Sequence, residues 1–378
     1  MGECAAEWTE SGQGSLVGHI GRVVSPGTGS DSGQNALLSC VVAAASGETG
    51  EFREEASGAA FSRRAVLRGV AATAVTGSAA ATVSAAYDGG TAYAADDGGR
   101  SLRVMTFNLR YASDSRPNSW AERRPAMRSL LHREAPHLLG TQEGLYGQLR
   151  DIATDLGPHY DWVGTGRAGG SRDEFAAIFY DVRRLAPVEY DHFWLSDTPY
   201  VIGSRTWGNT VIRMATWVRF RDLQHRGGES GAGEGGRRGP SGERQGSGEF
   251  YALNTHLDHA VQYSRERSAA LINDRLGALD PTLPRIVTGD FNVAAHKNPV
   301  YEAMLGAGKL VDSWDAAEER SAQYGTFHGY RPLVPDGDRV DWILTSPAVR
   351  TRRAAINTYS LHGQFPSDHL PVQALVDW

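Results

Sequence analysis

The sequence predicts a mixed α/β or α+β domain over residues 102–378. Short apolar runs of strand length alternate with longer amphipathic stretches of helical length throughout this region. Apolar residues make up 40% of the 378-residue chain, which is enough to build a sizeable core. Both cysteines lie within the first 40 residues, so neither a disulfide framework nor a zinc–thiolate site is expected in the domain.

Runs of β-branched and aromatic residues predict the strands, and apolar residues at helical spacing predict the helices. The predicted strands are 102–108, 137–142, 160–164, 175–180, 188–195, 211–220, 250–256, 284–289, 339–345, 352–358 and 371–376. The predicted helices are 120–134, 145–156, 262–279 and 299–306. Residues 224–248 are glycine-rich and polar, and we expect this insert between two strands to be a flexible loop.

The first hundred residues have a different composition. Residues 1–60 lack sustained periodicity and are expected to be disordered or the product of a misplaced translation start. Residues 61–94 hold Arg63-Arg64, then a charge-free run, then Ala92-Tyr93-Ala94, which is the order of a twin-arginine export signal. A membrane anchor is the alternative, although a run of alanine, glycine and threonine is only weakly favourable in lipid. We therefore expect a secreted mature domain, residues 95–378, with no stable membrane insertion.

The net charge of the chain excludes few classes of binding partner. A net charge of −6 and a pI near 6.1 argue against a protein that coats nucleic acid through general basicity. A local positive groove is compatible with that average.

Polar side chains stand at the ends of several predicted strands. In chain order they are Asn108 (N-x-R), Glu143 (T-Q-E), His256 (N-T-H-L), Asp290 and Asn292 (G-D-F-N), Asp341 (V-D-W-I), and Asp368 and His369 (S-D-H-L-P). Any one of these motifs is explained equally well as a turn or a cap. Six such positions in one ordered series are not a plausible coincidence.

This series resembles the endonuclease/exonuclease/phosphatase superfamily, which includes DNase I, exonuclease III, deadenylases, inositol polyphosphate phosphatases and bacterial sphingomyelinases. The resemblance covers essentially all of residues 102–378, and residues 193–217 are most similar to an uncharacterised bacterial branch near the deadenylase-type members. It implies an α+β fold of the DNase I-like type. That fold is a four-layer α/β/β/α sandwich of two face-to-face mixed sheets with flanking helices and a site at one edge.

The resemblance also implies Mg²⁺- or Mn²⁺-dependent hydrolysis of a phosphoester, which fits hard oxygen donors. The metal ligands would be Glu143, Asn108 and Asp368. Asp290 would orient or deprotonate the attacking water. The remaining roles are hydrogen bonds to phosphoryl oxygens from Asn292, His256 and His369, orientation of His369 by Asp341, and orientation of His256 by Glu174.

Substrate contacts are less specific in the sequence. The candidates are Arg110, Arg213, Trp207 and Asn209, with Arg172, Arg205 and Tyr330 as further possibilities. The sequence favours a nuclease or phosphodiesterase that acts as a monomer on a phosphoester substrate, with nucleic acid as one candidate substrate. The alternatives are hydrolysis of small-molecule, sugar-phosphate or lipid-headgroup esters, and a non-enzymatic binding module that would lack some site residues.

Overall fold

The computed structural model describes residues 101–225, 248–306 and 309–378. The N-terminal extension, the predicted export signal and residues 226–247 of the polar insert lie outside the described residues. In chain order the elements are β1 (Leu102–Asn108), α1 (Trp120–Glu134), β2 (Leu138–Gly144), α2 (Tyr146–Leu156), β3 (Tyr160–Val163), β4 (Phe175–Asp181), β5 (Leu185–Trp194), β6 (Met214–Asp222), β7 (Glu249–His256), α3 (Gln262–Gly277), β8 (Arg285–Asp290), α4 (Pro299–Leu305), β9 (Val311–Asp312), α5 (Ser313–Ala316), β10 (Glu319–Arg320), β11 (Asp341–Thr345), β12 (Arg350–Ile356) and β13 (Val372–Asp377).

Two mixed sheets carry the fold. The first has the strand order β10-β12-β13-β1-β2-β4-β3, and the second has the order β5-β6-β7-β8-β11-β9. β1 runs parallel to β2, and β7 runs parallel to β8, while most other neighbours are antiparallel. The carboxyl ends of each parallel pair therefore meet at one edge of their sheet.

Three apolar clusters define the layers. The first lies between the sheets and joins residues such as Val104 and Ile178 with Val218 and Ile286. A second cluster packs α1 and α2 on the outer face of the first sheet, and a third packs α3 and α4 on the second sheet. The predicted four-layer α/β/β/α sandwich is thus confirmed, because each sheet buries one face against its partner and the other against helices.

The predicted strands and helices are present, with ends that shift by up to about three residues. The sequence patterns missed β9, α5 and β10, which are two to four residues long and too short to show a period. Among the described residues no helix is both long and apolar enough to cross a membrane.

Helix α1 supports the loop that follows β1. It begins at a capping box in which Ser119 and Glu122 satisfy each other's backbone amides. Its Arg123 is fully buried and donates to the carbonyl oxygens of Leu109, Arg110 and Tyr111, at 2.8, 3.0 and 3.3 Å. A buried guanidinium with this many acceptors fixes the chain as it leaves β1.

A polar layer between the sheets lies directly beneath the edge where the parallel strands end. The Asn254 amide donates to the carbonyl oxygens of Thr141 and Ala177, and its oxygen accepts from Gln142 at 2.7 Å. A side chain at Gly140 would meet the Thr288 hydroxyl at 2.1 Å. The sheets therefore approach too closely here for any residue but glycine, and the hydrogen bonds set how the two sheets align.

Candidate active site

Backbone register brings the predicted site residues to one edge of the sandwich. His256 at the end of β7 is paired with Asp290 at the end of β8, and Asp290 is paired with Asp341 at the start of β11. In the other sheet, Asn108 at the end of β1 is paired with Gln142 next to Glu143. Each sheet therefore contributes to a single cluster of buried polar side chains.

A histidine lies between two carboxylates at the centre of this cluster. His369 Nδ1 lies 2.9 Å from Asp341 Oδ2, and its Nε2 lies 3.8 Å from Asp290 Oδ2. Burial alone would lower the pKa of His369, but Asp341 and Asp290 outweigh it and raise that pKa to about 10. The two carboxylates therefore favour the protonated ring, and the contact with Asp341 holds its orientation.

Asp290 is the carboxylate best placed to accept a proton. Burial raises the pKa of Asp290 to about 7, and the neighbouring Asp341 adds to the rise, while His369 and hydrogen bonds from Asn108 and Asn292 oppose it. Asn108 Nδ2 donates to Asp290 Oδ2 at 2.9 Å, and the Asn292 amide N–H donates to Oδ1 at 2.9 Å. A carboxylate with a pKa near neutrality suits a general base.

Glu143 lies beside this group, on the first sheet. Its Oε1 accepts from Asn108 Nδ2 at 2.9 Å, and its Oε2 accepts from the Tyr111 amide at 3.2 Å. Asn108 thus links Glu143 to Asp290, while its own oxygen accepts from the Arg110 amide. In this arrangement Asn108 presents its nitrogen, not the predicted ligand oxygen, to the carboxylates.

Strained backbone accompanies the functional side chains. Arg110, Glu143 and Asn292 have φ values of 51°, 62° and 53°, in the left-handed region that such residues seldom adopt. At Glu143 the strain coincides with an irregularity in the pairing of β2 with β4, which turns the end of the strand. Such strain persists only where surrounding contacts impose it, and it is concentrated at functional sites.

The partner of His256 differs from the one that the sequence predicts. Arg213 Nη1 lies 2.8 Å from His256 Nδ1, and the described residues show no hydrogen bond between Glu174 and His256. Glu174 instead pairs with Arg167 at 2.7 Å and lies 3.8 Å from Arg213. The role predicted for Glu174 is therefore corrected: the arginine occupies the nitrogen that Glu174 was expected to contact.

This arginine determines the protonation of His256. Burial, with Arg213 as the next cause, lowers the pKa of His256 well below its ordinary value, so the ring is neutral. A guanidinium can only donate, so Nδ1 accepts and the single ring proton is on Nε2. That nitrogen lies 3.4 Å from Asp290 Oδ2, which is its acceptor, while the nearby side-chain amide of Asn292 donates to Leu257 O at 3.0 Å. His256 therefore faces the reaction site as a hydrogen-bond donor.

The donor set of the site fits a hard divalent cation. Ligand atoms of Glu143, His256 and Asp290 lie within 4.8 Å of one another. Because Nδ1 of His256 is engaged by Arg213 and Nε2 carries the proton, the carboxylate oxygens of Glu143 and Asp290 are the candidate ligand atoms of this group. The second group, Asp290, Asp341 and His369, is better described as an ion triad, because its histidine is positively charged.

Asp368 lies outside both of these groups. Its Oδ2 lies 3.8 Å from Arg110 Nε, and its Oδ1 accepts from the Ser367 hydroxyl. The structure thus places the predicted ligand Asp368 at the rim of the site, paired with the predicted substrate residue Arg110.

Three residues predicted to contact substrate, Trp207, Asn209 and Arg213, have buried side chains. Trp207 is 5% exposed and packs in the cluster of the second sheet, and Asn209 is 4% exposed and donates to Val211 O in its own loop. Arg213 is 5% exposed and engaged by His256 and Glu174. Of the four principal candidates, Arg110 alone retains a partly exposed side chain.

Sequence reasoning missed several residues of the site. Arg167 and His259 contact Glu174 and Arg213, and nothing in their sequence surroundings marks them. Thr326 accepts from the amides of Val340 and Asp341 and so holds the start of β11. The aromatic and histidine residues in T-F-H-G-Y, residues 326–330, were the available signal for this segment.

Comparison with known proteins agrees with this geometry. The model of the endonuclease/exonuclease/phosphatase family matches residues 105–369, from within β1 to His369. The chain belongs to this family. A mannosyl-6-phosphatase of Bacteroides thetaiotaomicron is 31% identical, with a TM-score of 0.63 over 73% of this chain and 100% of the other. A family protein of the same organism is 32% identical, with a TM-score of 0.64 over 74% and 98%.

A more distant structure shares the fold alone. The catalytic domain of human Nocturnin is 18% identical, with a TM-score of 0.52 over 73% of this chain and 94% of that domain. No curated protein matches the chain. Family membership makes the chain a phosphoesterase-type hydrolase, and the DNase I-like sandwich is the fold that its relatives share.

Proposed function

We propose that the protein is a Mg²⁺- or Mn²⁺-dependent phosphatase that releases phosphate from a small phosphorylated sugar. The observation that carries the reaction type is the group of Glu143, His256 and Asp290, whose ligand atoms lie within 4.8 Å of one another, together with the group that Asp290 forms with Asp341 and His369. The sequence favoured a nuclease or phosphodiesterase, and two further findings favour the sugar-phosphate alternative.

The first finding is the use of arginine at the site. Arg213 and Arg123 are buried and engaged internally, Arg167 is bidentate with Glu174, and Arg110 faces Asp368. Among the described residues these cations are matched to protein groups, whereas polynucleotide binding depends on Lys and Arg that neutralise successive phosphates. The second finding is the relative that is 31% identical and is named a mannosyl-6-phosphatase.

Each residue of the site has a separate proposed role in the hydrolysis. Glu143 would hold the cation, with Asn108 and Asp368 as further proposed oxygen donors, and Asp290 lies beside it as the base. When bound, the cation neutralises phosphoryl charge and polarises the phosphorus–oxygen bond. Asp290 takes the proton of the attacking water as the new oxygen–phosphorus bond forms. His369, Nε2–H of His256 and the Asn292 amide donate to the non-bridging oxygens. The ester bond to the sugar oxygen breaks, and that oxygen takes a proton from solvent water. Asp290 then returns its proton to solvent, and the products are an alcohol and inorganic phosphate.

A metal-dependent substrate panel tests this proposal. Purified residues 95–378 are assayed with hexose 6-phosphates, bis-p-nitrophenyl phosphate, RNA, DNA and sphingomyelin, with Mg²⁺, Mn²⁺ or EDTA. We expect phosphate release from a hexose 6-phosphate that requires the cation. Cleavage of RNA or DNA without phosphate release from any sugar phosphate would reject the proposal in favour of a nuclease.

We also propose that the enzyme acts outside the cytoplasm. The support is the double arginine, apolar run and A-x-A end within residues 61–94. Replacing Arg63 and Arg64 by lysine is expected to retain the enzyme in the cytoplasm. Unchanged appearance in the medium would contradict a twin-arginine route.

A further inference from the structure

The loop that precedes Tyr330 brings an exposed aromatic ring against the catalytic histidine. Phe327 is 50% exposed, and its ring centroid lies 4.9 Å from that of His369. An isolated bridge between the Phe327 and His369 backbones fixes this placement. One face of a large apolar side chain is thus held in solvent directly beside the group that contacts the phosphoryl oxygens.

Poorly satisfied polar atoms surround the same place. Arg110 Nη1, His328 Nε2 and Tyr330 Oη are all buried and lack well-formed hydrogen bonds: Arg110 and Tyr330 interact with each other, and the His328 ring interacts with the Ser367 backbone. His328 is only 4% exposed, and its Nδ1 accepts from the Tyr330 amide at 3.1 Å, so its Nε2 carries the proton in the neutral ring. Buried polar groups without well-formed hydrogen bonds are unfavourable, so a ligand that can both donate and accept would stabilise these three atoms.

These groups form one cluster and are not scattered along the rim. The guanidinium carbon of Arg110 lies 4.8 Å from the centre of the Tyr330 ring, and the rings of His328 and Tyr330 are 5.7 Å apart. The amides of His328 and Gly329 both donate to the Asp368 carbonyl, at 2.9 and 3.1 Å, which ties the loop to the residue before His369. The cluster therefore adjoins the phosphoryl position.

The chemistry of the cluster fits a hydroxylated ring. Hydroxyl groups both donate and accept, so they can satisfy the Nε2–H of His328, the Tyr330 hydroxyl and the guanidinium together. The carbon face of a sugar ring can pack on Phe327. Asp368 lies 3.8 Å from Arg110 and offsets its charge, which disfavours a second anionic group in this position.

We propose that Phe327, His328, Tyr330 and Arg110 form the subsite that binds the sugar ring of the leaving alcohol. The inference rests on the proposed function and deepens it, because it assigns the residues that choose among phosphate esters. The loop selects the alcohol, while the strand-end residues bind and cleave the phosphate.

The test compares substrates that share a phosphate but differ in the ring. Values of kcat/KM are measured for mannose 6-phosphate and for glycerol 3-phosphate, which lacks a ring, in the wild type and in Phe327→Ala, Tyr330→Phe and His328→Asn. The asparagine retains an acceptor near Nδ1 and removes the Nε2 donor. We expect the preference for mannose 6-phosphate to fall about tenfold in Phe327→Ala and His328→Asn, mainly through a higher KM. Tyr190→Phe, at a tyrosine on β5 that is as exposed as Phe327, is the control and should keep the wild-type preference.

Binding provides a readout that does not depend on turnover. Mannose 6-phosphate is titrated into full-length protein in EDTA by calorimetry, and we expect about tenfold weaker binding to Phe327→Ala than to the wild type. If the wild type releases phosphate from mannose 6-phosphate but both measurements are unchanged in the variants, the subsite is wrong and the proposed function stands. If the wild type neither hydrolyses nor binds any sugar phosphate, the proposed function fails, and the subsite with it.

Discussion

The two edges of the sandwich both bury charged side chains, but they arrange these charges differently. At the far edge, where β6 ends and β7 begins, Arg184 and Asp222 form a salt bridge at 2.6 Å with side chains 2% and 3% exposed. At the site edge, Glu143, Asp290 and Asp341 crowd together around Asn108 and His369. Charge is paired one to one at the far edge and accumulated at the site edge.

This contrast separates stability from function. A buried pair is neutralised by its partner, so the loss of either member leaves an uncompensated charge. A crowded set of carboxylates is held in place by the rest of the fold, and its perturbed pKa values serve chemistry. The two edges should therefore respond in opposite ways to the same change from aspartate to asparagine.

The largest expected effect is on activity at the site edge. Asp290→Asn should lower kcat by about 1000-fold or more, because the amide cannot accept the proton of water. Because burial and Asp341 raise the pKa of Asp290, the folded state disfavours the charged form, so stability should be unchanged or higher. Phosphate release and urea unfolding measure the two effects, and a variant that unfolds more readily would contradict the contrast.

The counterpart at the far edge is Asp222→Asn. It leaves Arg184 buried without its carboxylate and should lower the free energy of unfolding by about 3 kcal/mol. At a temperature where the variant is folded, kcat/KM should match the wild type. If kcat/KM of this variant falls as far as that of Asp290→Asn, the far edge is not limited to a role in stability and the contrast is wrong.

The far edge also contributes to acid sensitivity. Burial, with Arg103 as the next cause, lowers the pKa of His137 to about 3, and its Nδ1 accepts from the Arg103 amide. The folded pKa lies below the unfolded one, so this stability is present above about pH 6.5 and is lost as pH falls towards 3, at about 1.4 kcal/mol per unit.

His137→Asn keeps a hydrogen-bond acceptor near the position of Nδ1 and removes the imidazole that would be protonated as the pH falls. Between pH 7 and pH 5 the wild type should lose about 2 kcal/mol more stability than the variant, as measured by urea unfolding at both values. His192 has a pKa lowered to about 4 by burial and is present in both proteins, so its contribution cancels. Equal losses in the two proteins would exclude His137 as a source of acid lability.

The smallest expected effect concerns the arginine beside His256. Arg213→Met should lower kcat by about tenfold, because the ring is then free to place its proton on Nδ1 and lose the donor at Nε2. Arg213→Lys keeps a donor at this position and should recover much of the rate. The ¹⁵N chemical shifts of the His256 ring report the tautomer directly, and an unchanged Nε2–H form in Arg213→Met would show that Arg213 does not set it.

The ordered motifs in the sequence sufficed for much of this description. Apolar periodicity located the long strands and helices, and the polar residues at strand ends identified Glu143, His256, Asp290, Asp341 and His369 as one set. This worked because parallel neighbours bring their carboxyl ends to one edge, so position along a strand predicts position in space. This inference applies to residues at the ends of strands and says nothing about side chains that loops bring to the site.

Only the tertiary structure decided which side chain faces which. The contact of Arg213 with His256, the separation of Glu174 from that ring and the burial of Trp207 depend on how loops from distant parts of the chain pack over the strand ends. The burial of the polar atoms of His328 and Tyr330 could not be predicted either, because the satisfaction of a hydrogen-bonding group is a property of the packed surroundings. The sequence by itself determined the strand-end chemistry, and packing determined the partners of these residues and the loop surface that we propose binds the substrate.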